Sequence, residues 1–135
     1  MLPFKLQHPG TVLGYKQYAN IKTTKDAAIM KQLQVATDKW NIKGCQALQC
    51  CNIGPHGAGA GHDEFIGDSM QCYRFVLLWL LGAHVDGATN AANILRRWCT
   101  ECTSFVGANA PLECAWGSAA LVRCCLLYTS PSPRD

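Results

Sequence analysis

The chain has 135 residues, 49% of them apolar and 16% charged, with a formal net charge of +3. That balance excludes a disordered segment and fits one globular domain. Lys16, Lys22, Lys25, Lys31, Lys39 and Lys43 are scattered among apolar residues, so no basic stripe points to nucleic acid. The longest apolar run, residues 75–83, is too short to cross a membrane as a helix.

Residues 1–10 read as an extended lead-in, with Pro3 and His8-Pro9-Gly10 as turn material. No apolar stretch follows Met1-Leu2-Pro3-Phe4-Lys5, so a signal peptide is not expected. A weak helix is predicted over 13–21. A stronger one, capped by Thr24 or Asp26, runs to about Trp40, with Ile29, Leu33, Ala36 and Trp40 on one face. Residues 44–61 are rich in Gly, Cys and Asn and predict a long loop, a common place for function.

Asp63 can cap the next helix, which continues to about Leu81, with Asp63 and Glu64 suiting its positive end. Residues 75–81 are apolar on every side and must be covered all round. A chain of this length is not expected to cover both faces, which argues that further protein surrounds it. After a turn at 82–87, Asp86 or Thr89 starts a helix to about Ser104. Ala91, Ile94, Leu95, Trp98, Cys102 and Phe105 form its apolar stripe, and Trp79 and Trp98 are expected in the core. Gly107 ends that segment. Asn109 caps a last helix, where Pro111 and Glu113 suit the first turn and Leu112, Ala115, Trp116 and Ala119 form the expected buried stripe. No segment alternates as a strand does, so the predicted fold class is all-α, built of antiparallel helix pairs.

The nine cysteines are irregularly spaced. Cys99-Thr100-Glu101-Cys102 is the lone C-x-x-C, and a zinc site would want a second pair. Small core residues facing one side are the simpler reading, and no metal or cofactor is expected. Residues 125–135, Cys-Leu-Leu-Tyr-Thr-Ser-Pro-Ser-Pro-Arg-Asp, resemble a translated transposase-type sequencing adapter. The fold is therefore expected in residues 1–124, with 125–135 an artefactual tail. Its removal takes away Arg134 and Asp135 and leaves the net charge unchanged.

Five elements in order resemble the alginate-lyase family. His8-Pro9-Gly10 looks like that family's opening HPG. Cys51, Gly54-Pro55-His56, Gly61 and Glu64 look like its Cys-Gly-Pro loop and Gly-Cys-x-x-Glu segment. Asn52-Ile53 intervene here, and His62 stands near the second expected Cys. Asp68, Tyr73, Leu77, Trp79 and Gly82 resemble D-A-x-x-A-Y-x-x-A-L-x-W-x-x-T-G. Residues 91–98 match A-x-x-I-L-x-x-W, and residues 109–116, Asn-Ala-Pro-Leu-Glu-Cys-Ala-Trp, resemble N-A-P-L-Q-A-A-W. Leu121-Val122-Arg123 fits the start of its R-A-A-E stretch. The resemblance spans residues 4–123, mostly at packing positions, which speak for fold before chemistry.

The resemblance implies a partial (α/α) toroid, truncated, from a lyase that cleaves alginate or a related polyuronate by β-elimination. It implies an acidic-polysaccharide partner, no obligatory metal, and an extracellular or periplasmic parent. Such a reaction needs donors to neutralise the carboxylate beside C5, a base for the C5 proton and an acid for the leaving oxygen. The family's Asn-His pair and catalytic Tyr lie beyond the matched region, and the chain contains no Asn-His dipeptide. No catalytic residue is assigned, and the fragment itself is expected to be inactive. His56 and His62 are candidate substrate donors, against a reading as plain exposed loop histidines. Trp116 is a candidate sugar-stacking residue, against a core role on its helical stripe. Glu64 and Asp68 stand four apart; helix capping and solvation account for them, although a carboxylate pair is conceivable. The competing function is a helical-repeat interaction module, although no fixed-period self-similarity is present. A thiol-based metal or redox domain would need Cys45, Cys50, Cys51, Cys99 and Cys102 to converge.

Overall fold

The computed structural model describes residues 27–129. In chain order the elements are α1 (Ala27–Lys43), β1 (Cys50–Asn52), a 3-10 turn (Pro55–Gly57), α2 (His62–Leu80), α3 (Gly87–Glu101), β2 (Ser104–Val106) and α4 (Ala110–Thr129). The chain is mostly helical, as the all-α expectation has it. The expected helix over 13–21, the caps at Thr24 and Asp26, the His8-Pro9-Gly10 turn and residues 130–135 lie outside the described residues.

Helix α1 ends where Gly44 takes a left-handed φ of +72° and returns its N–H to the Trp40 carbonyl at 2.8 Å. Its expected stripe holds in part: Leu33, Ala36 and Trp40 are half-buried, and Trp40 packs against the core. Ile29 is exposed, and the buried residue is Thr37, whose hydroxyl accepts from Gln71 Nε2 at 3.0 Å. A buried amide in α2 therefore selects the packing face of α1.

Helix α2 is the centre, packed against α1, α3 and α4. Phe75, Val76, Leu78 and Leu81 are buried, while Leu77, Trp79 and Leu80 are half-buried. The apolar run is thus covered on one side by this chain's own helices and only half-covered at Leu77, Trp79 and Leu80, so the expectation of incomplete cover holds in part. Helix α3 starts at Gly87, where any Cβ would strike the Phe75 carbonyl oxygen of α2. Its stripe is as predicted: Ala91, Ile94 and Trp98 are buried and Leu95 packs against them. It stops at Glu101, short of the expected 104, because residues 104–106 pair as β2.

That pairing is the departure from a purely helical chain. β1 and β2 run parallel, with Cys50 opposite Ser104, Cys51 opposite Phe105 and Asn52 opposite Val106. The bonding extends past the strands, from Ile53 N–H to the Val106 carbonyl at 2.8 Å and from Thr103 N–H to the Gln49 carbonyl at 2.8 Å. The segment read as an open loop is thereby anchored.

The stripe expected on α4 is wrong. Leu112, Ala115, Trp116 and Ala119 are exposed, and Ala110, Glu113, Gly117 and Cys124 face inward. This helix is apolar nearly all round, so periodicity does not choose a face. The missing side chain of Gly117 does: any Cβ there would collide with the Phe65 ring. That ring is itself fixed, edge-on to Trp98 and to Phe105, with centroids 5.0 and 4.8 Å away.

Asp68 of α2 gathers the layers. Only 1% exposed, it is not a solvated carboxylate as expected. Trp40 Nε1–H of α1 donates to its Oδ1 at 2.7 Å, and Trp98 Nε1–H of α3 donates to its Oδ2 at 2.8 Å. The Gln46 N–H and the Cys45 thiol also donate to Oδ2, at 2.8 and 3.2 Å.

Two substitutions test this packing. Asp68→Asn sets an amide donor against several donors and should cost about 3 kcal/mol in urea unfolding. Gly117→Ala should cost about 1–3 kcal/mol by overpacking against Phe65, read as a lower melting temperature.

Candidate functional site

The start of α2, the start of α4 and the 3-10 turn meet at His62. Gly61, not Asp63, is the residue before the helix, with a left-handed φ of +113°. A Cβ there would come within 2.6 Å of Cys51 Sγ, so glycine lets the helix start press onto β1. Gly61 N–H donates to Glu64 Oε2 at 3.1 Å, which makes Glu64 a capping residue. Glu64 and Asp68 thus have separate structural partners and do not act as a carboxylate pair.

His62 is the first residue of α2. Its Nδ1 stands 2.9 Å from Oε1 of Glu113, in the first turn of α4. The Glu113 side chain is 4% exposed and that of His62 is 32% exposed. The two atoms are close enough for an ion pair, but their alignment is not that of a hydrogen bond, and neither has a hydrogen-bond partner elsewhere. Gly57 lies against the imidazole, since a Cβ on it would fall 2.9 Å from Cδ2. The neighbouring His56 is exposed and holds a left-handed φ of 56° in the turn. Trp116 follows Glu113 by one turn on α4 and is 59% exposed.

The structure therefore brings His56 and His62 to one locality through Gly57, and puts Trp116 on the helix that supplies Glu113. The core reading of Trp116 is overturned by its exposure. His62 belongs to a helix start, not to an open loop. Sequence reasoning missed Glu113, taking it only as a residue that suits the helix dipole. The available signal was its place among Ala110, Gly117, Leu121 and Cys124, on a face otherwise without charge.

A concavity of about 280 Å³ lies between the end of α1 and the start of α2. Lys39 and Lys43 line one side, and Asp63 and Glu64 the other. It presents both signs of charge and no clear preference for an anion.

Among the described residues, Cys45, Cys50, Cys51, Cys99 and Cys102 do not converge on one metal site, although the Cys51 and Cys102 thiols are neighbours. Cys99 is exposed and Cys102 half-buried, so they are not the paired core residues expected. Among the described residues, no three His, Cys, Asp or Glu side chains converge as a metal site, and no helix is long and apolar enough to cross a membrane. Burial, then the Cys102 thiol beside it, pushes Cys51 up to about 12. Burial, then its hydrogen bond to Asp68, pushes Cys45 up to about 11.

At pH 8, iodoacetamide should therefore modify exposed Cys50 and Cys99 well before Cys45 and Cys51, as read by peptide mass spectrometry. Folding favours the neutral form of the two raised thiols. Their contribution to stability is intact below the ordinary thiol value of 9.0 and is lost as pH climbs through about 11 and 12. Denaturant midpoints should fall across that window.

Comparison with known proteins gives no match to any family model, any curated protein or any solved structure.

Proposed function

We propose that the chain is part of a polysaccharide lyase that cleaves alginate or a related polyuronate by β-elimination. Its helices would open an (α/α) toroid, with residues 81–86 as the short link of the α2–α3 pair. The observation that carries the reading is Trp116: a large indole 59% exposed, one turn from the His62–Glu113 contact. An exposed indole offers a flat apolar face to a sugar ring, and nearby imidazoles offer polar contacts to its hydroxyls and carboxylate. His56, His62 and Trp116 are the proposed substrate contacts. The order of the motif-like elements along residues 4–123 supports the same reading. The parent protein would act on an extracellular polymer, outside the cell or in a periplasm. The elimination itself would use the family's Asn-His pair and Tyr, supplied by a longer chain.

One observation favours a second reading. Leu112, Ala115, Trp116, Ala119 and Val122 are all exposed along α4, as a helical interaction module would present them.

A titration with mannuronate and guluronate oligomers, followed by tryptophan fluorescence, separates the two. Saturable binding that weakens tenfold or more in Trp116→Ala supports the lyase reading. Wild-type protein that ignores both oligomers sinks it in favour of the interaction module. A longer transcript that continues from Arg123 into an Asn-His pair and a later Tyr should encode a protein that releases unsaturated uronates, seen as ultraviolet absorbance.

A further inference from the structure

We propose that Cys51 and Cys102 form a reversible disulfide that locks β1 to the end of α3. The oxidant is a small disulfide such as oxidised glutathione. The link does not depend on the lyase reading.

The backbone brings the two residues together. Cys51 is the middle residue of β1, paired with Phe105, and is 0% exposed. Cys102 caps the end of α3, with its N–H on the Trp98 carbonyl at 3.2 Å and its own backbone already extended. Thr103 then donates to the Gln49 carbonyl twice, through its N–H at 2.8 Å and its hydroxyl at 3.0 Å. The residue before β1 is thereby tied to the residue after Cys102. The Cys102 thiol donates to the Ser104 carbonyl at 3.7 Å, so it points along the strand pair. It packs against the buried cluster that contains Cys51, and the two thiols are neighbours. Closing the bond gives up one weak S–H···O contact.

Cys51 is held from the other side as well. A Cβ on Gly61 would come within 2.6 Å of Cys51 Sγ, so that sulfur lies under the start of α2. One link would therefore fix both the strand pairing and the seat of α2. Cys114 of α4 is the rival partner, half-buried and near Cys102. It is not among the side chains packed on the cluster that holds Cys51 and Cys102, which favours Cys51.

The exchange balances in two steps. The Cys102 thiol loses its proton to solvent and attacks one sulfur of oxidised glutathione. That breaks the glutathione S–S bond and releases one glutathione thiolate. Cys51 then loses its proton, attacks the Cys102 sulfur of the mixed disulfide and releases the second. Two protein thiols are oxidised, and one glutathione disulfide is reduced to two thiols. Burial, more than the neighbouring thiol, keeps the proton on Cys51 up to about 12. The second step is therefore the slow one, and it quickens as pH rises. The link closes a loop of about 50 residues, so it restricts the unfolded chain and raises stability.

The test uses a variant without the two exposed thiols, Cys50→Ser with Cys99→Ser. It is incubated with oxidised glutathione, blocked with iodoacetamide, digested with trypsin without reductant and read by mass spectrometry. The expected product joins peptide 44–74 to peptide 98–123, and fragmentation places the link at Cys51 and Cys102. It should form about tenfold faster per pH unit below the Cys51 value. It should also raise the melting temperature by about 10 °C, and dithiothreitol should reverse the gain. Adding Cys102→Ser should abolish the link. A folded protein whose Cys102 stays free or stops at the glutathione adduct overturns the proposal. So does a link that survives Cys102→Ser, or a Cys102–Cys114 bond within peptide 98–123. If the Cys102→Ser variant does not fold, the fragmentation spectrum decides alone, since it identifies both sulfurs.

Discussion

A buried carboxylate sets the terms for this fold. Asp68 is inside, and a charge there costs several kcal/mol unless donors surround it. Four donors do, and they come from α1, from the segment after it and from α3. One side chain thus ties three separate segments to α2. The two indoles meet Asp68 through their only polar atoms, so each packs its apolar bulk and satisfies its N–H in one placement. Phe75 and Phe65 then sit edge-on to Trp40 and Trp98 respectively. The aromatic core is oriented from a polar centre.

From that centre the constraint passes to the site. The Gln46 N–H bond to Asp68 pins the chain leaving α1, and Arg97 of α3 donates to the Cys45 carbonyl at 2.8 Å. With those residues held, the chain reaches β1 in register with β2. The strand carries Cys51 under Gly61, and Gly61 sets where His62 begins α2. β2 leads through Gly107 and Asn109 into α4, whose first turn holds Glu113. The Asn109 N–H bond to the Ile53 carbonyl at 3.1 Å closes this circuit. The position of one imidazole thus depends on both sides of a two-stranded sheet.

Much of the helical framework was legible. The stripe through Ala91, Ile94 and Trp98 is real, and α2 and α4 begin within a residue or two of where Asp63 and Asn109 placed them. Three things were not legible, each for a physical reason. A three-residue strand has too few residues to show alternation, so Cys50–Asn52 read as loop. A helix that is apolar nearly all round has no preferred face, so periodicity points α4 the wrong way and puts Trp116 on its buried side. Asp68 looked like a solvated residue because its partners, Trp40 and Trp98, lie 28 and 30 residues away. The site was half legible for the same reason. His56 and His62 stood out in a glycine-rich stretch, but local pattern says nothing about a partner as distant as Glu113.

The small parallel sheet also bears on how the protein assembles. Its flanking bonds join residues 54 apart, such as Thr103 and Gln49, whereas α2 and α3 meet across a six-residue turn. Closing the longer loop carries the larger entropic toll, so α2 and α3 can dock before the strands register. The strand pairing beneath His62 and Glu113 is then expected to follow that docking. Amide hydrogens of β1 and β2 would exchange ahead of those in the middle of α2, giving the site a local breathing motion within a settled helical frame.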